Sequence, residues 1–297
     1  MSRWTANALL LLAGAVWGMG FVAQSTGMEH LGPFSFVAIR FTIASLVVWP
    51  FALWEGAKVT QPIANKGRTF FQFSIIGVMF FLGMATQQVG LLTTSVSNSG
   101  FLTGLYVIFT PILAVALFRD WPHWIIWPAS GLAMVGIFLL SGGSFAGLVA
   151  GDFLTILSAM FWALQVVLIG RWVRDSGRPI LLAATQFSVV AAVAWLVTLA
   201  LSESITLDDI RGAAPELLFT GVFAGGFAFT LQVIGQRYTT ASQAVIFIAS
   251  EAPFAAIFAA IILSERIGLL GIAGCVSILL AMLMVELVPS WMKPNTN

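Results

Sequence analysis

Ten apolar runs, each about as long as a bilayer is thick, leave this chain few ways to fold. A helix needs about 20 apolar residues to cross the hydrocarbon. The runs fall at Ala6–Gln24, Phe34–Trp54, Phe70–Leu91, Asn98–Phe118, Trp124–Ser141, Asp152–Gly170, Ile180–Leu201, Pro215–Gly235, Ala241–Ile262 and Ile267–Leu287. Of the 297 residues, 59% are hydrophobic and only 8% are charged. A soluble globule carries about 25% charged residues, so this chain must use lipid as its solvent. The expected fold class is an all-α integral membrane protein with ten transmembrane helices. The first run begins like a signal peptide, with Ala13-Gly14-Ala15 after Arg3. It continues to Ala23, however, and the internal repeat needs it as a retained helix.

Charge sets the expected orientation. One set of helix ends carries Arg3, Lys58, Lys66, Arg68, Arg119, Arg171, Arg174, Arg178, Arg237 and Lys293, and the opposite set only Arg211 and Arg266. Lys and Arg favour the cytoplasmic side, so both termini are expected there. Trp4, Trp121, Trp124, Trp127 and Trp291 fall near predicted interfaces, where indole rings anchor a protein.

Sliding the sequence on itself by about 145 residues brings two halves into register. Ala15-Val16-Trp17 falls on Met160-Phe161-Trp162, and Thr94-Ser95-Val96-Ser97-Asn98 on Thr239-Thr240-Ala241-Ser242-Gln243. With one residue of slippage, Arg40-Phe41 falls on Gln186-Phe187 and Trp49 on Trp195. Tyr106 is the counterpart of Glu251. Five spans per half is an odd number, so the second half enters the membrane the other way up. The expected units are residues 1–141, a linker over 142–150 and a second repeat over 151–297. The linker region, from Ser141 to Gly147, is rich in Gly and Ser and uncharged. Asp152 just beyond it reads as a helix cap. Inverted repeats of this kind place a substrate site near the midplane, between the halves.

Other function classes fit poorly. A net charge of +1 gives no nucleic-acid footprint. Cys275 is the single cysteine, and the two histidines, His30 and His123, fall in predicted loops. No metal site or cofactor is expected. Neither is an intramembrane enzyme, because no span holds a histidine or a pair of carboxylates. The expected partners are a small-molecule substrate and the lipid bilayer.

The chain resembles the drug/metabolite transporter superfamily and its EamA-type two-repeat members. The resemblance rests on Trp17-Gly18, on Pro33 with Arg40-Phe41, on Gly151-Asp152 with Trp162, and on Glu251-Ala252-Pro253 and Glu265. Where that family often has Gly-Glu, this chain has Ser264-Glu265. The stretch Ser99–Tyr106 is further similar to the branch that holds aromatic amino-acid exporters of the YddG type. The resemblance implies ten spans in the cell inner (plasma) membrane and export of aromatic amino acids and some cationic drugs.

Candidate site residues follow from depth. At about 1.5 Å rise per residue in a core of about 30 Å, Trp17, Tyr106, Trp162 and Glu251 all fall near the midplane. A carboxylate at that depth is costly and is a functional candidate by default. Pro253 nearby removes a backbone donor and frees a carbonyl. Arg40 lies about 5 Å higher than Glu251, so a pair between them is geometrically possible. Arg40 can also snorkel outward. Phe21 and Phe101 lie about one turn from Trp17 and Tyr106. Among the glutamines, which should face inward, Gln88, Gln165 and Gln186 are candidate substrate contacts. The glycines Gly14, Gly18, Gly20, Gly221 and Gly225 suit close helix packing. The expected function is a secondary transporter that exports small amphipathic metabolites, foremost aromatic amino acids, with possible proton coupling through Glu251. A broad exporter of lipophilic cations is the alternative. A phosphate-ester exchanger would want more cavity Lys or Arg than Arg40 alone.

Overall fold

The computed structural model describes residues 1–59, 63, 65–94, 96–140, 149–262 and 268–291, and every regular element among them is helical. The Gly/Ser linker, Ser95, Ser264-Glu265, Arg266 and Lys293 lie outside the described residues, as do the side chains of Asn98 and Trp291. The first half contributes α1 (Arg3–Gly27), α2 (Pro33–Lys58), α3 (Lys66–Gly90), α4 (Val96–Thr103), α5 (Tyr106–Phe118) and α6 (Ile126–Leu140). The second half opens with α7 (Ala150–Ser176), α8 (Pro179–Ala200), the short α9 (Leu207–Gly212) and α10 (Ala214–Leu218). A π-helical segment, Phe219–Phe229, leads into α11 (Thr230–Gln236). The chain closes with α12 (Ala241–Ile248), α13 (Glu251–Ile262) and α14 (Leu269–Trp291).

Eight helices are long and apolar enough to cross a membrane, counting Ser99–Phe118 and Ala214–Gln236 each as one. The two remaining apolar runs differ from the continuous helices expected of them. The run from Trp124 forms a helix of 15 residues, and the run Ala241–Ile262 breaks into α12 and α13. Large apolar side chains such as Leu46, Phe51, Leu53, Phe71, Leu196 and Leu199 are exposed around the bundle. Trp4, Trp121 and Trp124 are exposed as well. The packed interior holds Phe36, Phe41, Phe73, Phe80 and Phe187, all fully buried.

The most extensive packing joins α2 to α8, two helices that occupy equivalent places in the halves. Their contacts are reciprocal. Near the end of α2, Glu55 accepts hydrogen bonds from the first amides of α8, Ile180 N at 3.1 Å and Leu181 N at 3.0 Å. Just past the end of α8, Glu203 accepts from the first amides of α2, Phe34 N at 3.2 Å and Ser35 N at 2.7 Å. Between these ends, the Trp49 indole donates to Ser188 Oγ at 2.9 Å, and the Trp195 indole donates to Thr42 Oγ1 at 3.0 Å. The two helices therefore run antiparallel about a pseudo-two-fold axis. Each carboxylate satisfies amides that a helix start leaves unpaired and meets the positive end of the helix dipole.

Other helix ends are closed in similar ways. Asp152 caps α7, accepting from Val149 N at 2.9 Å and from the Thr94 hydroxyl. At α9 the Thr206 hydroxyl and amide hold the Asp209 carboxyl below its ordinary range. Most of the basic residues gather at one end of the bundle. There Arg178 bonds the carbonyls of Glu55 and Val59, Arg174 bonds the Thr239 carbonyl, and Arg171 lies over Phe118.

Glu55→Ala and Glu203→Ala should each lower stability by about 1.5–3 kcal/mol, the range for hydrogen bonds to a charged group. Because the carboxylates sit at opposite ends of the α2–α8 pair, the double variant should be additive to within about 0.5 kcal/mol. Thermal unfolding in detergent reads both expectations.

Candidate functional site

Two helices break at equivalent places. Thr103-Gly104-Leu105 separates α4 from α5, and Ala249-Ser250 separates α12 from α13. Tyr106 and Glu251 are the first residues of the helices that follow. The Tyr106 hydroxyl donates to Glu251 Oε1 at 3.0 Å, so two counterparts 145 residues apart touch each other. A carboxylate at a helix start also meets the positive end of that helix. Pro253 therefore does not free a carbonyl within a continuous helix. It lies in the first turn of α13, where an amide has no intrahelical partner to lose.

Around this contact lies a cavity. Its wall is built from equivalent residues: Trp17 with Trp162, Phe21 with Val166, Met84 with Phe229, Gln87 with Gln232, Thr103 with Ile248, and Tyr106 with Glu251. The cavity thus straddles the pseudo-two-fold. Several lining residues have no equivalent in the wall: Gly20, Gln24, Arg40, Phe41, Thr220, Ala224 and Gly225. Most of these lie between mid-bundle and the end that holds the C-terminus of α1, and the cavity extends that way. Toward the other end aromatic rings pack together. Phe80 packs on Phe229 at 4.5 Å and on Trp162 at 5.1 Å, and Phe41 on Phe187 at 5.9 Å. Further along, Glu286 accepts from Asn7 at 2.6 Å and from Gln243 at 3.0 Å, with Arg3 at 3.5 Å.

Of the candidate residues, Trp17, Phe21, Arg40, Tyr106, Trp162 and Glu251 line the cavity, while Gln88, Phe101, Gln165 and Gln186 do not. The three amides turn to protein contacts instead. Gln165 donates to Gln186 at 3.2 Å, and Gln88 donates to the Gln24 carbonyl at 3.5 Å. Phe101 packs on Phe138 at 5.6 Å. The Arg40–Glu251 pair is not formed; among the described residues, Arg3 pairs with Glu286 and Arg211 with Asp208. Arg40 instead donates to Met84 Sδ and lies over the rings of Phe36 and Phe41 at 5.4 and 5.0 Å.

Four side chains of the wall keep a buried polar atom without a protein partner: Gln24 Oε1, Arg40 Nε, Trp162 Nε1 and Gln232 Oε1. The equivalent indole of Trp17 is satisfied by the Ala224 carbonyl at 2.9 Å. Residues that sequence reasoning passed over include Met84, Gln87, Phe229 and Gln232. The repeat offset that pairs Trp17 with Trp162 pairs these four as well, and it is the signal that could have found them.

The comparisons with known proteins agree on the broad class. The model of the EamA-like transporter family matches twice, over residues 4–142 and 149–287. An uncharacterized transporter of Archaeoglobus fulgidus is 31% identical over 97% of this chain and 87% of its own length. The uncharacterized transporter YyaM of Bacillus subtilis is 25% identical over 97% of this chain and 96% of its own. A solved crystal structure, 18% identical, superposes with a TM-score of 0.78 over 96% of this chain and 98% of that one, which shows a shared fold.

At Gly14, α1 passes against the break between α12 and α13. A Cβ there would lie 2.4 Å from Ser250 Oγ and 3.1 Å from the Ile248 carbonyl oxygen. Gly14→Ala should therefore cost about 1–3 kcal/mol by overpacking. At Gly131 a Cβ meets nothing within 4 Å, so Gly131→Ala should be neutral or stabilising. Thermal unfolding of the two variants tests the contrast.

Proposed function

This chain belongs to the EamA-like transporter family, and we propose on that footing that it is a secondary transporter exporting small amphipathic metabolites, foremost aromatic amino acids. The observation that carries this reading is the mid-bundle cavity, with aromatic walls, one acid and one base. Aromatic faces stack on a substrate ring, and the two ionisable groups suit a small polar end. In this reading α6 and the broken α12–α13 pair complete ten spans, in two inverted repeats over 1–141 and 151–297 joined by 142–150. The protein lies in the cell inner (plasma) membrane. Both termini are cytoplasmic, on the side where the basic helix ends gather. Alternating access comes from one repeat rocking against the other. The open end of the cavity closes as the end held by Gln165, Gln186 and Glu286 opens. Glu251 is the candidate carrier of a coupling proton, which would make export an antiport.

A broad exporter of lipophilic cations is the second reading. Glu251 and the ring faces favour it, since aromatic faces attract cations. Arg40 in the same wall opposes it.

Purified protein in liposomes should take up labelled tryptophan in preference to leucine and to tetraphenylphosphonium. Preference for the phosphonium would select the second reading. Glu251→Gln weakens a charged hydrogen bond of about 1.5–3 kcal/mol, so flux should fall roughly tenfold or more. Trp17→Ala and Trp162→Ala should each slow tryptophan flux more than Trp124→Ala, a residue 56% exposed. Equal effects of the three would remove the cavity from the pathway.

Orientation has its own measurement. In a Cys275→Ala background, a cysteine at Lys58 should react with an impermeant maleimide only from the cytoplasm, and one at Ser204 only from outside. The reverse pattern would invert the topology.

A further inference from the structure

We infer that Arg40 is the docking point for a substrate carboxylate, and that Gly20 keeps the space for it by withholding the side chain that would otherwise take the arginine. The inference rests on reading the cavity as the transport site. It names the feature that a substrate must carry beyond an aromatic body.

The comparison of the two halves supports it. In the second half the counterpart of Arg40 is Gln186, which is fully buried and accepts a hydrogen bond from Gln165 at 3.2 Å. The counterpart of Gln165 in the first half is Gly20. One half thus fills the position with a glutamine pair. In the other, an arginine and a glycine hold those positions, and both line the cavity.

Packing does not require that glycine. A Cβ at Gly20 would meet only Ala224 Cβ, at 3.9 Å, an ordinary contact. Gly14, two turns earlier on the same helix, has no such room. The missing side chain therefore leaves room in the wall of the cavity that Arg40 also lines.

Arg40 needs what that space can hold. It is 3% exposed, and among the described residues its Nε has no partner and its only hydrogen bond goes to the thioether of Met84. A thioether is a weak acceptor, and ring faces offset a cation only in part. A buried cation without a counter-ion is costly. A guanidinium is matched in geometry to a carboxylate, which it binds by two parallel hydrogen bonds. Glu251 is the acid of the same wall, but it is held by Tyr106 and forms no ion pair with Arg40. Phe41, which lines the cavity beside the guanidinium, would flank the ligand's apolar body.

The test uses the full chain in detergent and two probes with the same ring and a short chain, 3-phenylpropionate and phenethylamine. Binding is read by tryptophan fluorescence and by thermal shift. The anion should bind roughly tenfold or more tightly than the cation, the size expected for one charged, bidentate contact. Arg40→Gln should erase that preference. Gly20→Glu, which supplies an internal carboxylate, should erase it while leaving the protein folded and monodisperse. Equal or tighter binding of phenethylamine would overturn the inference. So would no measurable binding of 3-phenylpropionate, or a preference that survives both substitutions. Transport separates this from the broader reading. Tryptophan flux without an anion preference sinks the role of Arg40 alone, and an anion preference without tryptophan flux sinks the substrate reading alone.

Discussion

In a bilayer, a helix start that is not wrapped in its own hydrogen bonds has only protein to turn to. The helices α2 and α8 meet that need for each other. Glu55 closes the start of α8 and Glu203 closes the start of α2, so neither helix completes its backbone bonding alone. The indoles of Trp49 and Trp195 fix the register between these two ends by reaching across to hydroxyls on the facing helix. A pair tied this way at both ends and in its middle defines the pseudo-two-fold. Helices of either half are then placed relative to it. The broken helices bring Tyr106 and Glu251 together on that axis, and the cavity forms where their interrupted backbones leave the core incomplete.

Symmetry explains where the cavity lies, and departures from symmetry explain its shape. Equivalent residues build most of the wall, but the residues that widen it come from one side of the axis. At Gly20 and Arg40 the chain leaves space, while at Gln165 and Gln186 it fills it. Trp17 is bonded to the Ala224 carbonyl, within a π-helical segment. The equivalent stretch of α3 is α-helical, and the Trp162 indole goes unpartnered. π-Helical turns within α-helices often mark functional positions. Two halves of similar sequence have thus settled into different local states.

Much of this was legible in the sequence. Apolar run lengths located the helices, and the offset of about 145 residues joined Tyr106 to Glu251 before any contact was known. Depth alone placed Trp17 and Trp162 at one level. Other features were not legible, for identifiable reasons. A run of apolar residues has the same composition whether its helix is continuous or broken, so the interruption at Ala249-Ser250 was hidden. Glutamines at suitable depth look alike until their partners are known, and Gln165 and Gln186 turned out to bond each other. Vertical reach made an Arg40–Glu251 pair feasible, but rotation about the helix axes decides which side chains meet, and a rise per residue carries no such information.

The separation of Arg40 from Glu251 bears on the energetics of the site. Paired directly, the two would offset part of each other's desolvation cost, and the link would span the cavity. Apart, each keeps a face toward the open volume, Glu251 steadied by a phenol and a helix start, Arg40 by ring faces and a sulfur. Neither group has a counter-ion among the described residues. A ligand that brings its own charges would supply one to each. The substrate proposed above, a zwitterion with an aromatic body, would answer both groups while its ring covered the indoles. Tight binding would trap it, whereas dispersed, partly satisfied contacts would leave it free to depart in the proposed rocking of the repeats.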